Sequence, residues 1–262
     1  MAKTSDNTEV QPRKRTRNQN KNKASSSNPP PPQPPTQPPY QRFITAEAEE
    51  RFKVIQELDF TGERAFDFKK LTSYPTFEKT VIEKGWLGLN AMVTKTSNKS
   101  ITMEFFANAV SKRAGSYESY VRGKTIRFGS QKINRILGLL APDNCDVERR
   151  RLPANWPKSR EEWDGLLVGL MKEGTSWIRR QEADNPQRID TADLLPTPRA
   201  WASFILSTIV STSSASEMIR DRTFILLVLF SDCESMNVGQ LIAYNIHDMI
   251  NKNNALGAFV SD

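Results

Sequence analysis

Beyond residue 45 apolar side chains recur at three- and four-residue intervals, the spacing that buries one helical face and leaves the other in water. In 101–110 that face is formed by Ile101, Phe105, Phe106, Ala109 and Val110, which leaves Glu104, Asn108 and Lys112 toward solvent, and Gly115 ends the helix. A run carrying Tyr120, Arg122, Lys124, Ile126 and Phe128 follows and turns at Gly123, predicting a β-hairpin over 117–129. Ser130 is placed to cap the next helix, which carries Ile133, Ile136, Leu137 and Leu140. Elsewhere the pattern predicts a short charged helix over 47–58 and one over 75–84 that starts on a first-turn proline and stops at Gly85. Ser159 and Glu162 form a capping box ahead of Trp163, Leu166, Leu167 and Leu170. Three helices close the chain: 198–210 with Thr197 as cap, 216–231 with the most apolar face, and 237–251, capped by Asn237, with Val238, Leu241, Ile242 and Ile246 at core spacing. Segments 141–158 and 181–196, rich in Pro, Asp and Arg, read as loops, and either could separate two helical subdomains. No internal repeat is found.

The fold class expected is mainly α: a multi-helix body with one small β-hairpin near residues 117–129, preceded by a disordered, basic and Pro-rich tail. The domain boundaries expected are 1–45 for tail and spacer, 46–252 for the helical domain, and 253–262 for a short C-terminal tail.

Several of these blocks carry a resemblance. Gly85 and Trp86, the run EFFAN from Glu104 to Asn108, VRGK over 121–124, and INRILGL over 133–139, with Asn134 and Gly138 inside it, form a first block. Trp201, Phe204 and Ile205, then Arg222 and Leu226, then Asn237, Val238, Gly239 and Ile242 form a second. In this order they resemble the putative plant transposon protein domain and the related first-reading-frame product of Athila-type plant retrotransposons. The resemblance covers roughly residues 50 to 252 and consists of dispersed identities rather than a catalytic signature. Two departures stand out. Ser211, Thr212, Ser213 and Ser214 replace the family's PTSH turn, and the chain stops at Asp262, where the family continues into a further helical segment. A decayed or truncated element copy is expected to look like this.

The resemblance implies a retrotransposon-derived, non-enzymatic protein for capsid-like assembly or nucleic-acid packaging. Its matched residues Trp86, Phe105, Phe106, Asn108, Gly123, Ile133, Asn134, Trp201, Arg222, Asn237 and Gly239 are then structural. A host-adapted nuclear binding protein acting through its tail is the alternative, and a transposase-type nuclease is the third reading.

Charge changes the picture at one place. The 262 residues hold 37 Lys and Arg against 30 Asp and Glu, a net charge of +7, but eight of the basic and two of the acidic residues fall in the first 45. The body is close to neutral. Arg13, Lys14, Arg15, Arg17, Lys21 and Lys23 are dense enough to condense onto DNA or RNA, or to fill the acidic groove of an import receptor, and 14–17 reads as a short nuclear-import pattern. Nuclear localisation is expected, with cytoplasmic as the alternative. Eight of the sixteen prolines lie between 28 and 40 and favour an extended spacer. No flanking Arg or Lys is placed to orient the run as a ligand for a proline-binding domain.

Met1 is followed by polar residues without a signal-peptide pattern, and the longest apolar run, 224–230, is too short to span a bilayer, so no membrane partner is expected. The two cysteines, Cys145 and Cys233, lie far apart and suit a reducing compartment.

No catalytic, cofactor-binding or metal-binding residue is assigned. A transposase or integrase needs three carboxylates gathered on a central sheet, whereas the acids here are scattered over amphipathic helices, and no Asp-Thr/Ser-Gly triplet occurs. Gly123, Lys124 and Thr125 imitate the end of a phosphate-binding loop, but Glu118 stands where its first glycine belongs. His247 is the only histidine, and neither a zinc site nor a nucleocapsid knuckle can be composed around it. Trp86, Trp163 and Trp201 sit at core spacing, whereas Trp156 and Trp177 lie nearer element edges. Arg122, Lys124, Arg127, Lys132 and Arg135 form the one basic cluster of the body and read as a solvated edge. Self-association is the remaining partner expectation.

Overall fold

Thr45 starts the first helix by accepting the Ala48 N–H on its hydroxyl, and α1 runs Ala46–Gln56 with Phe52 and Ile55 buried. Helix α2, Pro75–Glu83, begins on its proline and gives way to Gly85 at φ 69°, which turns the chain into α3, Leu87–Met92. Helix α4 spans Lys99–Asn108, capped by Asn98. Strands β1, Glu118–Val121, and β2, Lys124–Arg127, pair antiparallel with Val121 opposite Lys124. The two turn residues, Arg122 and Gly123, have φ of 50° and 80°, the double positive φ of a type I′ hairpin whose twist matches its strands. After α5, Ser130–Leu137, come α6, Asp146–Arg151, and α7, Arg160–Gly165. Strands β3, Ile178–Arg179, and β4, Pro186–Asp190, precede α8, Pro196–Phe204, which runs into a π-helical turn over Ile205–Ile209. Strand β5, Glu217–Ile219, leads into α9, Arg220–Leu229, and α10 spans Val238–Ala258.

This computed structural model describes residues 40–58, 65–66, 74–92, 98–109, 117–180, 185–210, 212, 214–231 and 233–258. The basic tail and the proline run lie outside the described residues, and from Tyr40 onward the chain forms one unit distinct from Met1–Pro39.

The architecture is mainly helical, with two small antiparallel sheets, β1-β2 and β3-β4-β5. Residues 223–228 of α9 are all buried, so this helix is enclosed on every side rather than amphipathic. Around it the aromatic core assembles. Phe77 stacks on Trp201 at 3.9 Å between ring centroids, Trp86 stacks on Phe204, and Trp163 stacks on Phe224. This cluster joins residues on both sides of 141–158 and of 181–196. Two smaller clusters flank it, one of Phe52, Ile55 and Ala107, the other of Ala109, Phe128 and Ile250.

The sequence pattern and the structure part in several places. Glu104 and Asn108 of α4 are fully buried, while Ile101 is exposed. On α5, Ser130 is the first helical residue and Gly129 holds the cap position without a side-chain bond. Ile136 and Leu140 are 58% and 74% exposed, so only Ile133 and the half-buried Leu137 carry that face inward. Helix α8 begins before Thr197, which therefore lies inside it. The sheet β3-β4-β5 occupies parts of what reads as loop at 181–196 and as helix at 216–231, because strands of two to five residues are too short to display alternation. Trp177 is buried, its indole N–H donating to the Trp163 carbonyl at 2.8 Å.

Candidate functional site

The matched polar residues gather at two joints. At the first, Asn108 accepts the Ile44 N–H at 3.1 Å and donates to the carbonyls of Arg42 and Tyr120, both at 2.9 Å. One amide thus binds the incoming segment and the hairpin to the end of α4. Four residues earlier on the same helical face, Glu104 accepts the Arg122 N–H at 2.7 Å. Its other oxygen faces the guanidinium groups of Arg122 at 3.3 Å and Arg42 at 3.8 Å. That bond fixes the hairpin turn at Arg122, where positive φ is unfavourable for a residue with a Cβ. The Ser119 hydroxyl closes the joint on the Phe105 carbonyl at 2.6 Å. The aromatic pair bridges the two small clusters, Phe106 packing against both and Phe105 lying edge-on to Phe128 at 5.2 Å.

The second joint links α5 to the start of α10. Asn134 donates to the Asn237 side chain at 2.9 Å and accepts the Gly239 N–H at 3.0 Å. Asn237 in turn accepts the Gln240 N–H at 3.0 Å, the cap expected of it. Its own N–H donates to the Cys145 thiol at 3.4 Å. Gly239 is required here because an added Cβ would lie 2.3 Å from the Asn134 side-chain oxygen and 2.7 Å from the Ser130 carbonyl. The loop before α10 is held to α6. Arg150 makes a forked contact to Glu234 at 3.0 and 2.8 Å, and Asp146 accepts the Ser235 N–H at 2.7 Å. That Ser235 N–H, and next Arg149, pull the Asp146 carboxyl below its ordinary pKa.

Other singled-out residues are placed as follows. Trp86, Trp201 and Ile133 are buried, and Gly123 makes the hairpin turn. Arg222 is half-buried on α9, where burial lowers its guanidinium pKa against the attraction of Asp248. His247 is half-buried on α10 beside Asn251 and the Tyr117 ring. Arg13, Lys14, Arg15, Arg17, Lys21 and Lys23 lie outside the described residues. Among the described residues no three His, Cys, Asp or Glu side chains are grouped as a metal site, and no helix is long and apolar enough to cross a membrane.

The body's basic cluster divides. Arg122 is bound to the first joint and Arg127 pairs with Glu118 at 2.8 Å, whereas Lys124, Lys132 and Arg135 make no ion pair among the described residues. Every residue of β2 is exposed. Helix periodicity places Glu104 in water and does not mark Ser119, Arg42 or Glu234 as joint residues, whereas Glu104 is fully buried. A polar pair one turn apart beside two phenylalanines was the only signal available.

In comparison with known proteins, a family model described as "Putative plant retrotransposon-related domain" matches residues 82–259, about two thirds of the chain. No curated protein and no solved structure matches it.

Proposed function

Because the chain belongs to the plant retrotransposon-related family, we propose that it serves such an element as a non-enzymatic structural protein that self-associates and packages nucleic acid. The observation that carries this reading is how the motif side chains are used. Glu104, Asn108, Asn134 and Asn237 are each committed to intramolecular bonds that hold one element against another. Residues that bond to their own fold are suited to keeping a shape. They are not poised to act on a substrate. The basic tail supplies the nucleic-acid contact, through phosphates rather than base edges.

Sedimentation velocity of the full chain over a wide concentration range, with and without duplex DNA or single-stranded RNA, tests this. Concentration-dependent assembly and salt-sensitive co-sedimentation are expected. A monomer at every concentration that still binds DNA would instead favour a host-adapted nuclear protein. Metal-dependent nicking abolished by one carboxylate substitution in well-folded protein would overturn the non-enzymatic reading.

A further inference from the structure

We infer that the body carries its own contact for a nucleic-acid phosphate backbone, at the concave face where β2 meets α5. This rests on the nucleic-acid reading above and adds a second site to the tail. The depression has a volume of about 860 Å³ and is lined by Glu118, Thr125, Arg127, Gln131, Lys132 and Arg135. Strand alternation sets Thr125 and Arg127 on one side of β2. On α5, Gln131 and Arg135 stand one turn apart with Lys132 beside them. A hydroxyl, an amide, an ammonium and two guanidinium groups therefore converge, all donors that phosphate oxygens accept.

The local charge is unbalanced. Glu118 is the only acid of the depression and is already paired with Arg127. Helix α5 contains no Asp or Glu, and its Lys132 and Arg135 are exposed without an ion-pair partner among the described residues. Protection of an open strand edge accounts for Lys124 and Arg127 on β2, but not for two more unpaired cations on the helix beside it. No aromatic side chain lines the depression, so stacked bases have no platform and the contact is independent of sequence.

Fluorescence anisotropy of the full chain against a short DNA duplex and a single-stranded RNA, titrated with salt, tests the assignment. Lys132→Ala with Arg135→Ala should make the slope of log affinity against log salt shallower by about 1.8 on duplex and about 1.4 on single strand, two phosphate contacts' worth. The melting temperature should stay unchanged, since both side chains are exposed. A control pair on other faces, Lys53→Ala with Lys79→Ala, should leave the slope as it was. An unchanged slope in the first pair, or an equal change in the control pair, overturns the body contact while leaving the tail reading intact. Absence of any binding by the full chain at low salt overturns both.

Discussion

Substituting Gly239 by Ala reverses the usual expectation for a helix. In an ordinary helix the change gains up to about 1 kcal/mol in propensity. Here the new methyl would lie 2.3 Å from the Asn134 side-chain oxygen, 2.6 Å from its Cγ and 2.7 Å from the Ser130 carbonyl. The first two contacts can be relieved by rotating Asn134, but that gives up the buried bond from the Gly239 N–H and the bond to Asn237. The third contact is with backbone and yields only if α5 and α10 separate. Overpacking costs roughly 1–3 kcal/mol and an unsatisfied buried donor about another 1–3, so after the propensity gain the net loss should be about 1–5 kcal/mol. For a body of this size, at about 2–4 °C per kcal/mol, that lowers the melting temperature by roughly 2–20 °C. Thermal unfolding by circular dichroism at fixed protein concentration reads it directly. Combining it with Asn134→Ala should recover part of the loss, since the clash with Ser130 remains. A Gly239→Ala protein that melts at or above the wild-type temperature would refute the close packing of the two helices and the joint built on it.

Glu104→Gln should destabilise by about 1 kcal/mol, because an acceptor for the Arg122 N–H survives while the charge facing two half-exposed guanidinium groups is lost; Glu104→Ala should cost about 2–3 kcal/mol, since that N–H then loses its partner, and denaturant unfolding separates the two. Trp201→Ala should cost about 3–5 kcal/mol and Phe105→Ala about half as much, because Trp201 is buried between Phe77 and Trp86 while Phe105 is only half-buried; equal losses would argue against this core. The folded Asp146 carboxyl has a lowered pKa, so its stabilising contribution is complete above the ordinary carboxylate pKa of about 4 and fades as pH falls through the lower folded value. Asp146→Asn should therefore reduce the melting temperature at neutral pH and flatten its fall in acid, and an acid profile identical to wild type would contradict the bond to Ser235. A fluorescent fusion lacking residues 1–27 should lose the nuclear enrichment of the full chain, and an unchanged distribution would remove the import role of Lys14, Arg15 and Arg17.

Much of the body follows from local rules that operate within a few residues. Thr45, Ser159 and Asn237 cap the helices they precede, because a short side-chain oxygen satisfies a free N–H at a helix start whatever surrounds it. Gly123 makes the hairpin turn and the tryptophans at 86, 163 and 201 anchor the core, since backbone freedom and large apolar area are properties of the residues themselves. The uneven charge between the first 45 residues and the rest is likewise a property of composition. Periodicity could not decide which face of α4 is buried. Glu104 and Asn108 turn inward because their partners arrive from a segment 64 residues earlier and a hairpin 12 to 18 residues later, and a polar group is buried only where such partners exist. The three short strands of the second sheet have the same origin: each is stable only against its neighbours' edges, and none has enough residues to announce itself. The requirement for Gly239 arises only where α10 crosses Asn134, 105 residues distant, because close approach is a relation between two helices and not a property of either.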